Sequence, residues 1–461
     1  MVENAIEELT RNRCKMHLFL VSMDNVMEFS FSDNLIFDTE ELIIYKNKKS
    51  YCVKQELKRD FNLDDIFESR INSIQNKCVE SAGVVPSFNC NLRCVYCSQS
   101  STDGKKDLDF KSFKIYINEI VQKRLIYSII NQEEPHLDLY FTGGGEPTYN
   151  WELFSNCVEY AKKICKTHNI SLNLHITTNA YFTNEKALYI SKNFSSVMIS
   201  YDGNNDTNLR NRTGSLPEDI QNIICKNIKS ISKNTDVTIR TTLMPSDFKL
   251  MREFTDNIFN EFKYIKNLDY NPVFPVGRAL RLNENKDYDS MNLFLNNYLY
   301  LSDRNSENDI KITTPIISAE PTLFGCGGLS IMPSEYWLFP DNKIRTCVDS
   351  YGSSVIVGEI QDGEFKYLKV DSDIFKEDIL KNSNICNNCI ALPVCGYGCP
   401  LKRLRDRKND TDYSKKECDL QRKYWEIILE KLTHKNYYRG WHSRKEINGQ
   451  SELFYINYIG D

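Results

Sequence analysis

From Ala82 to Phe274 the chain alternates short β-type runs with longer helical ones, and this alternation constrains the fold more than any other feature. The strands read as GVVPSF, LDLYFT, LNLHITT, SVMISY, VTIRTTL and LDYNPVF. Between them lie amphipathic segments such as FKSFKIYINEIVQKRLIYSIIN and NWELFSNCVEYAKKICKTH, whose apolar residues recur at helical spacing. Six β–α alternations predict an α/β fold with a parallel sheet, open or curled into part of a barrel. Chemistry in such folds collects at the C-terminal ends of the strands. The first 80 or so residues differ: HLFLVSMDNVMEFSF and LIFDTEELIIYKNKKSY predict a small sheet or hairpins, and LDDIFESRINSIQ predicts a helix. The polar stretch LSDRNSENDIKITT (301–314) separates the alternating part from a cysteine-rich C-terminal part.

Directly after the first strand, SFNCNLRCVYCSQSS (87–101) places Cys90, Cys94 and Cys97 on one loop. Iron–sulfur and structural zinc sites are usually closed by four ligands. Three cysteines on a short loop can hold three irons of a [4Fe–4S] cube and leave the fourth open. A zinc site completed from elsewhere and ordinary packing are the other readings of the triplet alone. The chain has 16 cysteines in 461 residues, and MVENAIEELTRNRCK shows no export signal, so metal ligation is favoured over disulfides. Seven more cluster late, at 326, 347, 386, 389, 395, 399 and 418. The six at 14, 52, 78, 157, 165 and 225 are scattered singly and read as small apolar packing residues.

Composition excludes little else. A hydrophobic fraction of 41% supports substantial cores, and the length fits roughly three domains. A net charge of −5, from 58 basic and 63 acidic residues, gives no electrostatic basis for a nucleic-acid or membrane partner. No uninterrupted apolar run approaches a membrane span, so the chain reads as soluble and cytoplasmic.

FTGGGEPTYN (141–150) ends the second strand, and three consecutive glycines allow close backbone approach to a ligand. Together, the CxxxCxxC triplet, with Tyr96 before its last cysteine, and the GGEP stretch resemble the radical S-adenosylmethionine (SAM) enzymes. The resemblance implies a partial (β/α)6 barrel over 82–280, with the open iron chelating the amino and carboxylate groups of SAM. Reductive cleavage then yields a 5′-deoxyadenosyl radical that abstracts a substrate hydrogen. It further implies that Gly144, Gly145 and Glu146 meet the methionine amino group and that Asn179 of TTNA ends the third strand at the cofactor. Ser200 and Asp202 of SYDG become cofactor contacts, and Arg212, twelve residues after Ser200, becomes the partner of the SAM carboxylate. Arg210 is close enough to compete for that role. NPVFPVGRA (271–279) matches the family's sixth strand and its exit.

The late cysteines, CNNCIALPVCGYGC followed by Cys418, resemble the SPASM extension of peptide- and protein-modifying radical SAM enzymes. That resemblance implies two auxiliary [4Fe–4S] clusters, three in all. Cys386, Cys389, Cys395 and Cys418 would hold the distal one, and Cys326, Cys347 and Cys399 the proximal one. Relatives with a full proximal set carry another cysteine shortly after the first, but CGGLSIMPSEYW offers none, and Met332 and Glu335 are weak or unforced substitutes. The proximal cluster is then also open, and a soft iron suits a substrate thiolate. The extension's hairpin usually turns on a glycine five residues before its second cysteine. Here that residue is Asn342, which tolerates the left-handed region.

The expected layout is an N-terminal module (1–81), winged-helix-like and suited to leader-peptide recognition, then the barrel (82–280). A linker (281–314), the SPASM domain (315–430) and a tail (431–461) complete the chain. The expected function is thioether formation in a cysteine-containing ribosomal precursor peptide, with flavodoxin or ferredoxin as electron donor. Rival readings are formylglycine formation of the anaerobic sulfatase-maturating kind, carbon–carbon crosslinking, and a non-catalytic iron–sulfur scaffold.

Overall fold

The computed structural model describes residues 81–98, 106–213, 219–282, 290–305, 310–317, 335–348, 356–368 and most of 381–432, with short strands near both ends. Near the N-terminus β1 (Glu28–Ser32), β2 (Leu35–Asp38), β3 (Ile43–Lys46) and β4 (Lys49–Cys52) form an antiparallel meander. The helix expected at LDDIFESRINSIQ lies outside the described residues.

The six alternations become six parallel strands in sequence order: β5 (Ser81–Val84), β6 (His136–Phe141), β7 (Ser171–Thr178), β8 (Ser196–Ser200), β9 (Asp236–Leu243) and β10 (Asn267–Pro272). Helices α1 (Phe110–Asn131), α2 (Trp151–Thr167), α3 (Asn184–Asn193), α4 (Asp219–Ile231) and α5 (Met251–Glu261) follow the first five in turn. Asp109 caps α1 by accepting from the Ser112 amide, and Asn150 caps α2 through the Leu153 amide. Burial alternates along β6: Leu137, Leu139 and Phe141 are fully buried in the core with α1 residues Phe113, Ile117 and Ile120. Each such side chain contributes about 2 kcal/mol. His136, Asp138 and Tyr140 take the opposite face and stay half-buried, so that face remains polar.

The segment expected to be a linker is structured. It carries α6 (Met291–Asn305), which buries Met291, Phe294, Leu295, Leu299 and Leu301, and β11 (Lys311–Thr313), which extends the sheet beside β10. The apolar spacing of MNLFLNNYLYL makes the helix, and the polar SDRNSEND after it masks that signal.

At the other edge β12 (Glu335–Leu338) pairs in parallel with β5 and starts an antiparallel run through β13 (Lys343–Arg345), β14 (Gly358–Gln361) and β15 (Glu364–Tyr367). Asn342, in the β12–β13 turn, has φ 61°, the left-handed conformation expected of the residue at this place. Trp337 pairs with Gly83, and its ring occupies the space where a Cβ would stand: a Cβ there would lie 2.0 Å from the ring. The buried Tyr116 hydroxyl of α1 donates to the carbonyls of Gly83 and Tyr336, tying helix to both strands. Beyond, α7 (Pro400–Asn409) and α8 (Tyr413–Leu432) return to the barrel, where Tyr413 meets Phe274 edge-on at 4.5 Å.

The stretch expected as a tail contains β16 (Arg444–Ile447), β17 (Gln450–Leu453) and β18 (Asn457–Tyr458); β18 pairs with β4 and completes the N-terminal sheet. Among the described residues no helix is long and apolar enough to cross a membrane.

Because Gly83 has no room for a side chain, Gly83→Val is expected to destabilise the fold by about 1–3 kcal/mol through overpacking. The urea midpoint of unfolding reads this directly. Trp337→Ala in the same chain should recover part of the loss, since the two changes share one space.

Candidate active site

The loop that carries the first three cysteines hangs between its neighbours by backbone hydrogen bonds. On one side the amides of Gly145 and Glu146 donate to the carbonyls of Ser87 and Asn89, both at 2.8 Å. On the other the amides of Arg93 and Val95 donate to Arg212 and Asn211, and the Arg278 amide donates to Cys97. At its base, Asp107 accepts from Ser87, Asn89 and Asn150 side chains. The glycines make this approach possible. Gly144 has φ 103°, and a Cβ on Gly145 would lie 1.9 Å from the Asn89 carbonyl oxygen. Two of the three glycines are therefore required by the cysteine loop itself.

Glu146 is 2% exposed, and its carboxylate is spent within the chain. One oxygen accepts from the Thr148 and Thr178 hydroxyls at 2.8 and 2.7 Å, and the other from the Asn179 amide at 2.8 Å. The carboxylate thus pins the end of β6 to the end of β7. Burial raises its pKa despite these donors. Asn179 carries the link onward: its side-chain amide donates to Asn91 at 2.8 Å and lies 3.9 Å from the Cys90 sulfur.

Asp202 and Arg212 meet through a third residue. The Tyr96 hydroxyl donates to Asp202 at 2.5 Å and accepts from Arg212 Nη1 at 2.8 Å, while Arg212 and Asp202 stand 3.6 Å apart. All three are buried. Arg210, the competing arginine, is mostly exposed and pairs with Asp247 at 2.7 Å, so the structure separates the two candidates. Ser200 ends β8, half-buried, in register with Arg240.

The thiols suit ligation to a cationic group. Burial pushes the Cys90 thiol up to about 12, with the charge of Glu146 adding to it, and burial raises Cys94 against the pull of Arg212. Burial raises the core thiols Cys157, Cys165 and Cys225 as well, so it is the shared loop and not the titration that sets Cys90, Cys94 and Cys97 apart. In the second field burial pushes Cys395 up to about 12, and the charges of Cys418, Cys389 and Cys386 all act on it, so these four sulfurs gather. Cys347 and Cys399 instead pack together against Leu401, and Cys399 also stands at the N-cap of α7. Cys326 and Met332 lie outside the described residues. Among the described residues no three Cys, His, Asp or Glu side chains converge as a single-ion site. Cys157, Cys165 and Cys225 are buried in the core, as their isolation in the sequence implied.

Residues 84–254 match the Radical SAM superfamily. This segment is a radical SAM domain. The chain is 23% identical over 372 residues to the cysteine-type anaerobic sulfatase-maturating enzyme of Clostridium novyi (strain NT), spanning 76% of this chain and 94% of that relative. The fold is shared with native anSMEcpe with bound AdoMet (19% identity, 77% of this chain and 99% of that one, TM-score 0.57). A second structure of that protein, with AdoMet and the Kp18Cys peptide, superposes with TM-score 0.58 at 19% identity over 76% of this chain and 98% of that one. Radical SAM enzymes use SAM and a [4Fe–4S] cluster, and the cysteine loop and its neighbours offer three thiols, an unpartnered buried Arg212 Nε and a glycine-lined approach for them.

Sequence reasoning misses several features of this barrel. Tyr96 stands out in the cysteine motif but not as the bridge between Asp202 and Arg212. Asn91 carries no signal of its own. On the helix-free face one register row runs Trp337, Gly83, Tyr140, His175 and Ser196. Tyr140 stacks on His175 at 4.4 Å, and His175 bridges Ser196 and Asp138 at 2.7 and 3.0 Å. The alternation of HLDLYF already places His136, Asp138 and Tyr140 on one face, which is the signal that was available.

Gly145→Ala is expected to displace the Asn89 carbonyl and with it the cysteine loop. Iron analysis of the reconstituted variant should show a loss of about four irons per chain, with the remaining iron unchanged.

Proposed function

We propose that this radical SAM enzyme matures a cysteine-containing peptide and that the bond it makes is an intramolecular thioether. Cys90, Cys94 and Cys97 hold the SAM-binding cluster. Arg212 takes the SAM carboxylate, and the backbone of Gly144–Glu146 borders the methionine amino group. Cys386, Cys389, Cys395 and Cys418 hold a distal auxiliary cluster, and Cys326, Cys347 and Cys399 a proximal one. When bound, these groups supply a 5′-deoxyadenosyl radical that takes a substrate hydrogen and an acceptor for the electron released on bond formation. The second hydrogen leaves as the thiol proton, so atoms and charge balance.

The observation that carries the thioether reading is the count of cysteines at the proximal site. CGGLSIMPSEYW, which begins at Cys326, provides no fourth thiol, so an iron is left for a substrate thiolate. The peptide reading is supported by the likeness to a sulfatase-maturating enzyme along 94% of its length. That same likeness favours formylglycine formation as the second reading. The N-terminal sheet is the candidate for docking a leader peptide, since an exposed strand edge can accept one by strand addition.

Replacing Cys90, Cys94 and Cys97 together by Ala should remove about four irons per chain and abolish 5′-deoxyadenosine release on reduction. Full iron retention would refute the assignment of these ligands. The thioether reading is tested with the short cysteine-bearing peptide encoded nearest the gene. It should alter the electronic spectrum of the proximal cluster on binding, and its Cys→Ser form should bind without that change. A peptide product two mass units lighter with its sulfur alkylated by a side-chain or backbone carbon supports the proposal; a carbonyl in place of the thiol moves the assignment to formylglycine.

A further inference from the structure

Tyr96 stands between two of the first-field cysteines, and its phenol joins a buried charge pair beside Cys94. Asp202 is fully buried, Arg212 is 6% exposed and Tyr96 8%. An arginine beside a buried carboxylate ordinarily makes two parallel hydrogen bonds with it. Here that fork is not formed: Arg212 Nη1 stays 3.6 Å from Asp202, whose oxygens accept from the Tyr96 hydroxyl at 2.5 Å and the Thr242 amide at 3.3 Å. Asn208 accepts from the Asp202 amide, which fixes the carboxylate's own backbone. The guanidinium is held through Nη1 on the phenol oxygen, at 2.8 Å, and its Nε is buried without a hydrogen-bond partner. A buried donor on a charged group is costly when unsatisfied, so this edge is built for an anion that arrives later.

We propose that Tyr96 is a positioning residue for the cofactor carboxylate. Its phenol, anchored by Asp202, keeps Arg212 from closing a fork on that aspartate and turns the Nε edge toward the carboxylate of SAM. Because Tyr96 lies in the loop between Cys94 and Cys97, the same side chain registers the carboxylate site to the iron ligands. The inference rests on the reading of Arg212 as the carboxylate partner and adds what orients it.

The test is a double-mutant cycle on the iron-loaded, anaerobic full-length enzyme, with SAM binding measured by calorimetry. Arg212→Gln should weaken SAM binding, and Tyr96→Phe should weaken it about tenfold, the loss of one hydrogen bond to a charged group. In the Arg212→Gln chain, Tyr96→Phe should cost nothing further. A phenol that merely supports the loop would cost the same in both backgrounds, and that additive result overturns the proposal. The loss in Tyr96→Phe should also shrink when the ligand is decarboxylated SAM. If Tyr96→Phe fails to retain iron, Asp202→Asn takes its place in the cycle, with the same non-additivity expected. Unchanged SAM affinity in Arg212→Gln removes the underlying reading; a loss there without one in Tyr96→Phe removes only the inference.

Discussion

The functional end of this molecule depends on the suspension of one loop. Cys90, Cys94 and Cys97 lie on a segment without regular structure, and such segments are ordinarily the least ordered part of an α/β domain. Here five backbone hydrogen bonds tie it to the loops after β6, β8 and β10. Each is worth about 1 kcal/mol, but their directions matter more than their sum. They reach three separate loops, so a shift of the cysteine loop away from any one of them breaks bonds. Glycine at 145 is the condition for the closer approach, and Glu146 then locks the second neighbour to the third. The strand ends are thereby joined in a chain from β5 to β8.

That suspension concentrates buried charge in a small volume. Glu146, Asp202 and Arg212 are each under a tenth exposed, and burial raises the thiols of Cys90 and Cys94. Removing such groups from water costs several kcal/mol per ion unless hydrogen bonds replace the solvent. Glu146 meets that cost with donors from Thr148, Thr178 and Asn179. The thiols have no equivalent set of donors, and a cationic cluster would relieve them. Metal loading and local order are linked for that reason, and the loop should be at its most stable when ligated.

Much of this was legible in the sequence because chemistry fixes spacing locally. A glycine must stand where backbones touch, and Asn342 can replace a glycine at φ 61° because its short side chain tolerates that region. What escaped depends on partners distant in the chain. Gly83 looks ordinary until Trp337 is laid on it from 254 residues away. The three glycines read as a ligand cradle, and 144 and 145 also let the cysteine loop approach, which spacing alone does not show. Glu146 reads as a cofactor contact, and spacing does not show that its carboxylate also straps β6 to β7. Arg210 and Arg212 could not be told apart by spacing; burial separates them, since the segment Leu209–Thr213 turns one inward and leaves the other outside. The helix α6 was hidden by the polar residues at its end.

The geometry of the sheet also bears on how the two cysteine fields work together. The second field enters through β12, which is hydrogen-bonded along β5, the strand that leads into the first field. Trp337 and Phe339 pack with Val85 and Phe88, and Val348, next to Cys347, touches the same cluster. Among the described residues, the start of the second field at Cys347 therefore packs on the edge of the barrel that leads into the first. From that edge the row through Tyr140 and His175 crosses the helix-free face, which is polar where an ordinary parallel sheet is covered and apolar. A polar, half-buried face accepts a peptide's amides more readily than a hydrophobic one, because each amide brought in can keep a hydrogen-bond partner. Gly83 and Trp337, neither replaceable without a clash or a void, hold β12 against β5 and so fix where the second field begins.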